Sequence, residues 1–346
     1  MLKSYLLVFF ISVVSFFFIS KLFKSIGIID KPDGVRKIHK GDIPLSGGTS
    51  LFVSFILIIS IVYPSTLEEV DFKETSILQV FLISPIILFL GLWDDIKPLP
   101  TSIRLIFQIF ASWLVIIVTD VYLIDLGDLF GFGNLFLGTI GIPLTIFMVV
   151  GVCNAFNMID GMDGLVGIIL LVLCFALSSI IYLGAQHTFL FFSPIVAIVF
   201  LLYNLGVLGQ NQKIFLGDSG STCIGFITAW ALIIFSQGDE RLFQPVTALW
   251  LIMLPLIDAL STFLNRLWNK KSMFIGDRTH IHHMMQDAGL KKQTVLLIFL
   301  LISILSSGFG VLANLNSIPE STQFYGFLTI WFFYYLLIKY PLTHSD

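Results

Sequence analysis

Charged residues are scarce in this sequence. Asp, Glu, Lys and Arg together make up 12% of the 346 residues, whereas an ordinary soluble domain contains about 25%. Apolar residues make up 57%, including 35 phenylalanines, and the mean hydropathy is +0.96. A soluble core cannot hide this much apolar surface, so the composition excludes a soluble enzyme and indicates contact with the lipid bilayer. The net charge of −3 is small, and no nucleic-acid partner is expected.

Cysteine is rarer still, with three residues in the chain. Cys153, Cys174 and Cys223 all lie in or beside apolar runs. An odd and scattered set of cysteines has neither the pairing of a disulfide framework nor the spacing of a metal site. The sequence therefore excludes a disulfide-stabilised scaffold.

Long apolar runs account for most of the chain. Stretches of about 17 to 25 apolar residues predict about eleven transmembrane helices, so the expected fold is an all-α polytopic bundle. Helices are expected because backbone exposed to lipid must satisfy its hydrogen bonds internally. The predicted spans are residues 4–23, 46–64, 76–93, 103–119, 134–152, 165–183, 187–204, 220–236, 245–266, 295–313 and 323–340. The first is too long for a signal peptide and is interpreted as a retained helix.

Basic residues are distributed unevenly between the two sides of this predicted bundle. When the loops are assigned alternately to the two sides, one side keeps only Lys3, Lys73 and Arg241 of the 19 basic residues. The basic side is predicted to be cytoplasmic, which places the N-terminus outside and the C-terminus in the cytoplasm. The loops are short, so residues 1–346 are expected to form a single membrane-embedded domain.

Five acidic residues stand near helix ends on the predicted cytoplasmic side. They are Asp94, Asp95, Asp160, Asp163 and Asp218. Carboxylates gathered at the inner leaflet would repel one another and the anionic lipid surface unless a cation joins them. The pattern therefore predicts a divalent cation. The acids of the outer loops are instead typical of solvated turns.

Two motifs carry four of these acids. Asp94 and Asp95 are adjacent and cannot share one helical face, so they can serve two tasks; a polar helix end at the membrane interface is the alternative. Between residues 154 and 164, Asn or Asp recurs every third residue, which would place Asn157, Asp160 and Asp163 on one face of a helix or tight turn. Amide and carboxylate oxygens suit Mg²⁺ or Mn²⁺.

Two further motifs contain groups that suit an anion. Asp218 opens a predicted span, and a helix N-terminus favours a phosphate or a metal-bound anion, although an N-cap formed by Asp218 or Ser219 is the alternative. A histidine motif, His280, His282 and His283, follows Arg278. These groups are interpreted as a clamp that binds a pyrophosphate. A zinc site is discounted, because the sequence lacks the further ligands that it would need. A solvated histidine cluster stays open as an alternative.

A basic loop and one isolated acid complete the set of candidates. The loop carries Arg36, Lys37, His39 and Lys40. It serves either the membrane topology or the attraction of an anionic ligand, which is the phosphate of a lipid headgroup or a nucleotide. Asp258 is the one acid well within a predicted span and is expected to be paired or hydrogen-bonded in a structural role.

These motifs, in this order, resemble the polyprenyl-phosphate N-acetylhexosamine-1-phosphate transferases of glycosyltransferase family 4. That superfamily also contains phospho-N-acetylmuramoyl-pentapeptide transferase. The resemblance covers nearly the whole chain, on segments 43–48, 94–95, 154–164, 217–221 and 280–283. The chain is most similar to the bacterial undecaprenyl-phosphate α-N-acetylglucosaminyl 1-phosphate transferases. Ile281 interrupts the three consecutive histidines typical of the muramoyl-pentapeptide enzymes, which argues against a pentapeptide-bearing donor.

The resemblance implies a phosphotransferase of the bacterial inner membrane whose active site faces the cytoplasm. It would transfer N-acetylglucosamine 1-phosphate from UDP-N-acetylglucosamine to undecaprenyl phosphate with Mg²⁺ or Mn²⁺, releasing UMP. This would be the initiating step of a lipid-linked surface polysaccharide, such as the O-antigen of lipopolysaccharide or a common antigen. Another UDP-N-acetylhexosamine or UDP-N-acetylmuramoyl-pentapeptide stays open as the donor, and a homodimer stays open as the assembly. An ion-coupled transporter is the non-enzymatic alternative.

The resemblance also implies roles for individual residues. Asp218 would be the principal metal ligand, with Asn157 as a second ligand. Asp94 or Asp95 would deprotonate or orient the lipid phosphate. Both routes of transfer stay open, direct displacement and a covalent aspartyl intermediate.

The same resemblance places the nucleotide and the sugar. Asp163 would contact the uracil ring, and Asp160 would support its loop. The sugar pyrophosphate would be held by Arg278, His280, His282 and His283. The site as a whole is expected at the loops around residues 31–48, 94–104, 153–164, 204–221 and 267–293.

Overall fold

The computed structural model describes residues 2–32, 41–62, 72–183, 189–270 and 280–339, most of which lie in α-helices. Two short antiparallel strands, β1 (Ile29–Asp30) and β2 (Ile43–Pro44), pair Ile29 with Pro44. The helices are α1 (Leu2–Ile26), α2 (Gly47–Ile61), α3 (Phe72–Ile83), α4 (Pro85–Ile96), α5 (Thr101–Thr119), α6 (Gly141–Ile159), α7 (Leu165–Leu183), α8 (Ser193–Asn204), α9 (Gly217–Ser236), α10 (Pro245–Leu251), α11 (Met253–Trp268), α12 (Ile281–Asp287), α13 (Lys292–Leu315) and α14 (Glu320–Lys339).

Several of these helices are long and apolar enough to cross a bilayer. Within the described ranges there are 7 such helices, or 8 if the sharply bent pair α10 and α11 counts as one span. Helices α3 and α4 together form one of the 7, and α2 is a shorter apolar helix of 15 residues. The prediction of a mainly helical protein with several helices long and apolar enough to span a membrane is confirmed. Eleven crossings and their orientation stay predictions.

Two predicted spans differ from the observed helices for identifiable reasons. The span over residues 245–266 is not continuous, because α10 and α11 meet at an angle of 84°. Pro255 lies four residues after Leu251, where α10 ends, and a proline ring clashes with the carbonyl four residues before it. The span predicted over residues 134–152 corresponds to α6, which begins and ends seven residues later. Leu135 instead exchanges backbone hydrogen bonds with the 126–127 segment, so the helix starts later.

Helix α9 lies at the centre of the bundle. Nearly all of its residues are buried, and Phe226, Trp230 and Phe235 are among the largest fully buried side chains. Helices α2, α3, α4 and α6 all pack against it. Helix α9 is therefore surrounded by four other helices.

Glycines let two neighbours reach the backbone of α9. A Cβ atom on Gly48 of α2 would lie 2.2 Å from the Cα of Gly220, and one on Gly91 of α4 would lie 2.3 Å from the Cα of Ser219. No real side chain fits at such distances. Small residues at helix contacts allow this close backbone packing in membranes.

Gly91→Ala is expected to destabilise the protein, because the new methyl group must push α4 away from α9. Overpacking of this kind costs about 1 to 3 kcal/mol. Thermal unfolding in detergent measures the effect. Gly151→Ala on α6 is the matched control, since no atom lies within 4 Å of its new Cβ. Equal unfolding temperatures for the two variants would contradict the packing described above.

Candidate active site

The N-terminus of α9 is capped by a carboxylate from α4. Asp95 Oδ1 accepts a hydrogen bond from the backbone N–H of Asp218 at 2.8 Å, and Oδ2 accepts one from Ser219 at 3.2 Å. The first N–H groups of a helix lack intrahelical partners and carry the positive end of its dipole, so a carboxylate is stabilised there. The cap therefore comes from another helix, and the alternative in which Asp218 or Ser219 is the N-cap is wrong.

The backbone at this cap requires glycine. Gly217 has a φ of +77°, and a Cβ at this position would lie 2.7 Å from Asp95 Oδ2. A side chain would thus strain the backbone and displace the capping carboxylate.

Asp94 turns away from its neighbour and pairs with an arginine. Its Oδ2 accepts from Arg104 Nη1 at 2.9 Å, and its Oδ1 accepts from the backbone N–H of Leu99 at 2.6 Å. The side chain of Asp94 is 6% exposed and that of Arg104 is 29% exposed, so the ion pair is buried on the aspartate side. The two adjacent acids therefore face different partners, and their catalytic roles stay a prediction. Arg104 was not predicted as a site residue; its position in the first turn of α5, ten residues after Asp94, is the signal that sequence reasoning missed.

Asn157 and Asp218, the two predicted metal ligands, are in contact. Asn157 Nδ2 donates to Asp218 Oδ1 at 2.8 Å and to Ser221 Oγ at 3.1 Å, which joins the end of α6 to the start of α9. Asp218 also lies within electrostatic range of Asp94 and Arg104. The ends of α4, α5, α6 and α9 thus meet at one point.

The donor set at this point fits a hard divalent cation in its chemistry. Carboxylate and amide oxygens are the protein ligands that Mg²⁺ prefers. Among the described residues, no group of three or more His, Cys, Asp or Glu side chains is arranged to hold a metal ion. Magnesium sites commonly use one or two carboxylates and complete the coordination with substrate phosphates and water. One carboxylate with one amide matches that arrangement.

Asp160 follows α6 and lies among other acids. Burial raises its pKa well above the ordinary value, and the charges of Asp218, Asp95 and Asp163 raise it further. The ionised form of Asp160 is therefore repelled by the neighbouring acids. A bound cation would lower this repulsion.

Asp163 is paired with two lysines that sequence reasoning counted only toward topology. It accepts from Lys213 Nζ at 2.8 Å and also pairs with Lys292, the first residue of α13. Burial alone would raise the pKa of Asp163, but the hydrogen bonds and charges of the two lysines together lower it. The carboxylate of Asp163 is therefore ionised, and the two lysines balance its negative charge. Asp160 differs, because its pKa is raised.

Asn204 joins the loop after α6 to the segment that leads into α9. Its Oδ1 accepts from the backbone N–H of Gly164 at 2.6 Å, and its Nδ2 donates to the Ile214 carbonyl at 3.0 Å. Asn154, by contrast, faces α5 and donates to Gln108 Oε1 at 3.0 Å. The three-residue repeat therefore does not place all its members on one face.

The histidine motif is buried against the same loop. His280 and His282 are 5% and 0% exposed, so the alternative of a solvated histidine cluster is wrong. The His282 ring packs on Gly161, where a Cβ would lie 2.2 Å from Nε2. The rings of His282 and His283 are 4.2 Å apart between centroids.

The structure brings most of the predicted site residues together. We call Asp94, Asp95, Asp160, Asp163 and Asp218 the acidic cluster; with Asn157 they occupy one end of the bundle, and His282 reaches them through Gly161. Five predicted site residues lie outside the described residues. These are Arg36, Lys37, His39, Lys40 and Arg278.

A family model and several curated relatives point to the same protein family. A model described as glycosyl transferase family 4 matches residues 77–236, a range that includes the whole acidic cluster. The chain is 34% identical over 336 residues to the undecaprenyl-phosphate alpha-N-acetylglucosaminyl 1-phosphate transferase of Escherichia coli K12, covering 96% of this chain and 89% of that protein.

Relatives of the same name from other bacteria match to the same extent. The Yersinia pestis protein is 35% identical over 338 residues, covering 96% of this chain and 90% of that protein. The Haemophilus influenzae protein is 36% identical over 324 residues, covering 92% of this chain and 88% of that protein. Identity of this level over nearly the full length establishes that the chain belongs to glycosyl transferase family 4.

Proposed function

We propose that this protein transfers N-acetylglucosamine 1-phosphate from UDP-N-acetylglucosamine to undecaprenyl phosphate, forming undecaprenyl-pyrophosphoryl-N-acetylglucosamine and UMP. The observation that carries the proposal is the meeting of the acidic cluster and Asn157 at the N-terminus of α9. It is supported by the 34% identity to relatives named for this transfer. Phosphoryl transfer depends mainly on positioning and charge neutralisation, which such a cluster of helix ends can supply.

In the proposed reaction, an oxygen of the lipid phosphate attacks the β-phosphorus of the UDP-sugar. A new P–O bond forms between the lipid phosphate and the β-phosphorus. The bond from the β-phosphorus to the oxygen that bridges the two phosphates breaks, and UMP leaves with that oxygen and the electron pair of the bond. A phosphate monoester is already largely ionised near pH 7, because its second pKa is about 6. No strong base is therefore required.

Direct displacement is favoured over an aspartyl intermediate by the hydrogen bonding of the two adjacent acids. Asp95 is engaged by two backbone N–H groups, and Asp94 by Arg104 and a third backbone N–H. Neither carboxylate is poised as a nucleophile. We assign Asp94 with Arg104 to orienting the lipid phosphate, and Asp95 to holding the start of α9 in place.

Asp218, with Asn157, is proposed to hold a divalent cation, Mg²⁺ or Mn²⁺. When bound, the ion would neutralise pyrophosphate charge and stabilise the departing UMP. Asp160 and Asp163 are proposed to form the nucleotide side, where Lys213 and Lys292 add positive charge. The sugar pyrophosphate is assigned to Arg278, His280, His282 and His283.

The membrane setting is part of the proposal. We infer eleven spans with the N-terminus outside, one membrane-embedded domain over residues 1–346, and an active site facing the cytoplasm at the inner membrane. The basic segment Arg36, Lys37, His39 and Lys40 would attract the lipid phosphate. The product would start a lipid-linked surface polysaccharide, such as O-antigen.

Lipid-dependent release of UMP tests the proposed reaction. The purified protein with Mg²⁺ and UDP-N-acetylglucosamine is expected to release UMP only when undecaprenyl phosphate is added. A panel of UDP-N-acetylhexosamines with the same lipid then ranks the donors. UMP release that does not depend on the lipid, or none at all, would refute the proposal.

Asp218→Asn is expected to lower turnover by at least about 100-fold, because loss of even an outer-shell partner of a metal typically costs 10- to 100-fold. The same assay of UMP release measures this. Asp239→Asn, an identical change at an exposed residue, should keep wild-type turnover and serves as the control. Unchanged turnover in Asp218→Asn would exclude the metal assignment.

Asp160→Asn should stabilise the metal-free protein in a pH-dependent manner. Since burial and neighbouring acids raise the pKa of Asp160, the unfolded chain ionises this carboxyl at lower pH than the folded protein does. The wild type therefore loses stability as pH rises through that interval, and the variant lacks this contribution.

Thermal unfolding in EDTA between about pH 4 and pH 8 checks this. The unfolding temperature of Asp160→Asn should exceed that of the wild type at the upper end, and the two should converge at the lower end. Saturating Mg²⁺ should shrink the difference. A difference that is independent of pH would contradict the expectation.

A further inference from the structure

A buried polar group lies on α11, outside the acidic cluster. Asp258 is 1% exposed, and its carboxylate contacts three groups. Oδ2 is 2.6 Å from His280 Nδ1, while Oδ1 accepts from Tyr334 Oη at 2.6 Å and from the backbone N–H of Ile281 at 3.3 Å. A buried carboxylate is stable only with such partners. Asp258 therefore ties α11, the start of α12 and the C-terminal helix α14 together.

The partners of Asp258 connect it to the proposed sugar-pyrophosphate site. His280 is the first member of the histidine motif, and its ring stacks on His282 with centroids 5.8 Å apart and planes within 14°. His282 in turn packs on Gly161, beside Asp160 of the acidic cluster. A continuous series of contacts thus runs from α14 to the acidic cluster.

We propose that Asp258 and Tyr334 are positioning residues for the histidine motif. A carboxylate that accepts from Nδ1–H holds a histidine in one orientation and leaves its Nε2 edge for another partner. Tyr334 fixes the carboxylate itself. Together they hold His280, and through it His282 and His283, in the arrangement that receives the sugar pyrophosphate. The assignment rests on the proposed function and adds α14, which contributes no member of the acidic cluster.

Loss of a positioning residue should change the enzyme kinetics in a different way from loss of a residue that only stabilises the fold. Misplaced histidines would weaken binding of the UDP-sugar and leave the lipid site intact, so the KM for UDP-N-acetylglucosamine should rise while the KM for undecaprenyl phosphate stays the same. A purely structural role would instead lower the active fraction, and so kcat, without moving either KM.

Tyr334→Phe tests this with the loss of a single hydroxyl. Its kcat/KM for UDP-N-acetylglucosamine is expected to fall about 10-fold, the loss expected for about 1.4 kcal/mol. Ser261→Ala is the matched control, because Ser261 on α11 accepts from Trp331 of α14 at 3.1 Å and is not among the partners of Asp258. It removes a hydroxyl between the same two helices and should keep both KM values within about twofold of the wild type.

Asp258→Asn tests the carboxylate. An amide that donates to His280 would reverse the tautomer, and kcat/KM is expected to fall by about 100-fold or more. Asp258→Glu, which keeps the acceptor, should recover part of the loss. Circular dichroism and unfolding temperature verify that each variant is folded.

The outcomes separate this assignment from the proposed function. Wild-type turnover with both KM values unchanged in Tyr334→Phe would overturn the positioning role alone, even if Asp258→Asn fails to fold. Equal behaviour of Tyr334→Phe and Ser261→Ala would overturn it as well. Absence of lipid-dependent UMP release by the wild type would instead overturn the proposed function, and with it this role.

Discussion

The capping of α9 by Asp95 is the interaction on which the rest of the site depends. The last turn of α4 is an unfavourable place for a carboxylate, because the negative end of the helix dipole lies there, whereas the first turn of α9 offers unpaired N–H groups. The two helix ends therefore stabilise each other when they meet. Gly91 and Gly217 allow the approach, since a Cβ on either would collide with the partner. Asp218 is placed by this contact.

Charge is balanced unevenly across the acidic cluster. Asp94 pairs with Arg104, and Asp163 pairs with two lysines, whereas Asp160 and Asp218 make no ion pair with any described residue. The acids without a cationic partner therefore lie beside Asn157, whereas two lysines surround the single carboxylate of Asp163. A cation would be attracted to the first group and an anionic nucleotide to the lysines.

Much of the site was accessible to sequence reasoning because its residues stand at predicted helix ends. Asp94, Asp95, Asp160, Asp163 and Asp218 are predicted on that ground, Asn157 is predicted from the three-residue spacing, and these residues do come together. Their cationic partners Lys213 and Lys292 are not predicted, because they come from distant segments and serve equally as topology signals. The bend between α10 and α11 is not predicted from the length of the apolar run, although Pro255 within that run is the signal that marks the break.

The sequence by itself determined the membrane setting, the helical class and the identity of the chemical groups, because apolar run length and the spacing of acids are local properties. Tertiary structure alone decided which group meets which. Asp95 caps a helix 123 residues away, and Asp258 is paired or hydrogen-bonded, as expected, but its partners His280 and Tyr334 became visible only in the fold. Contacts between distant segments depend on how helices pack, and packing is set by side-chain shape across the whole bundle rather than by any local pattern.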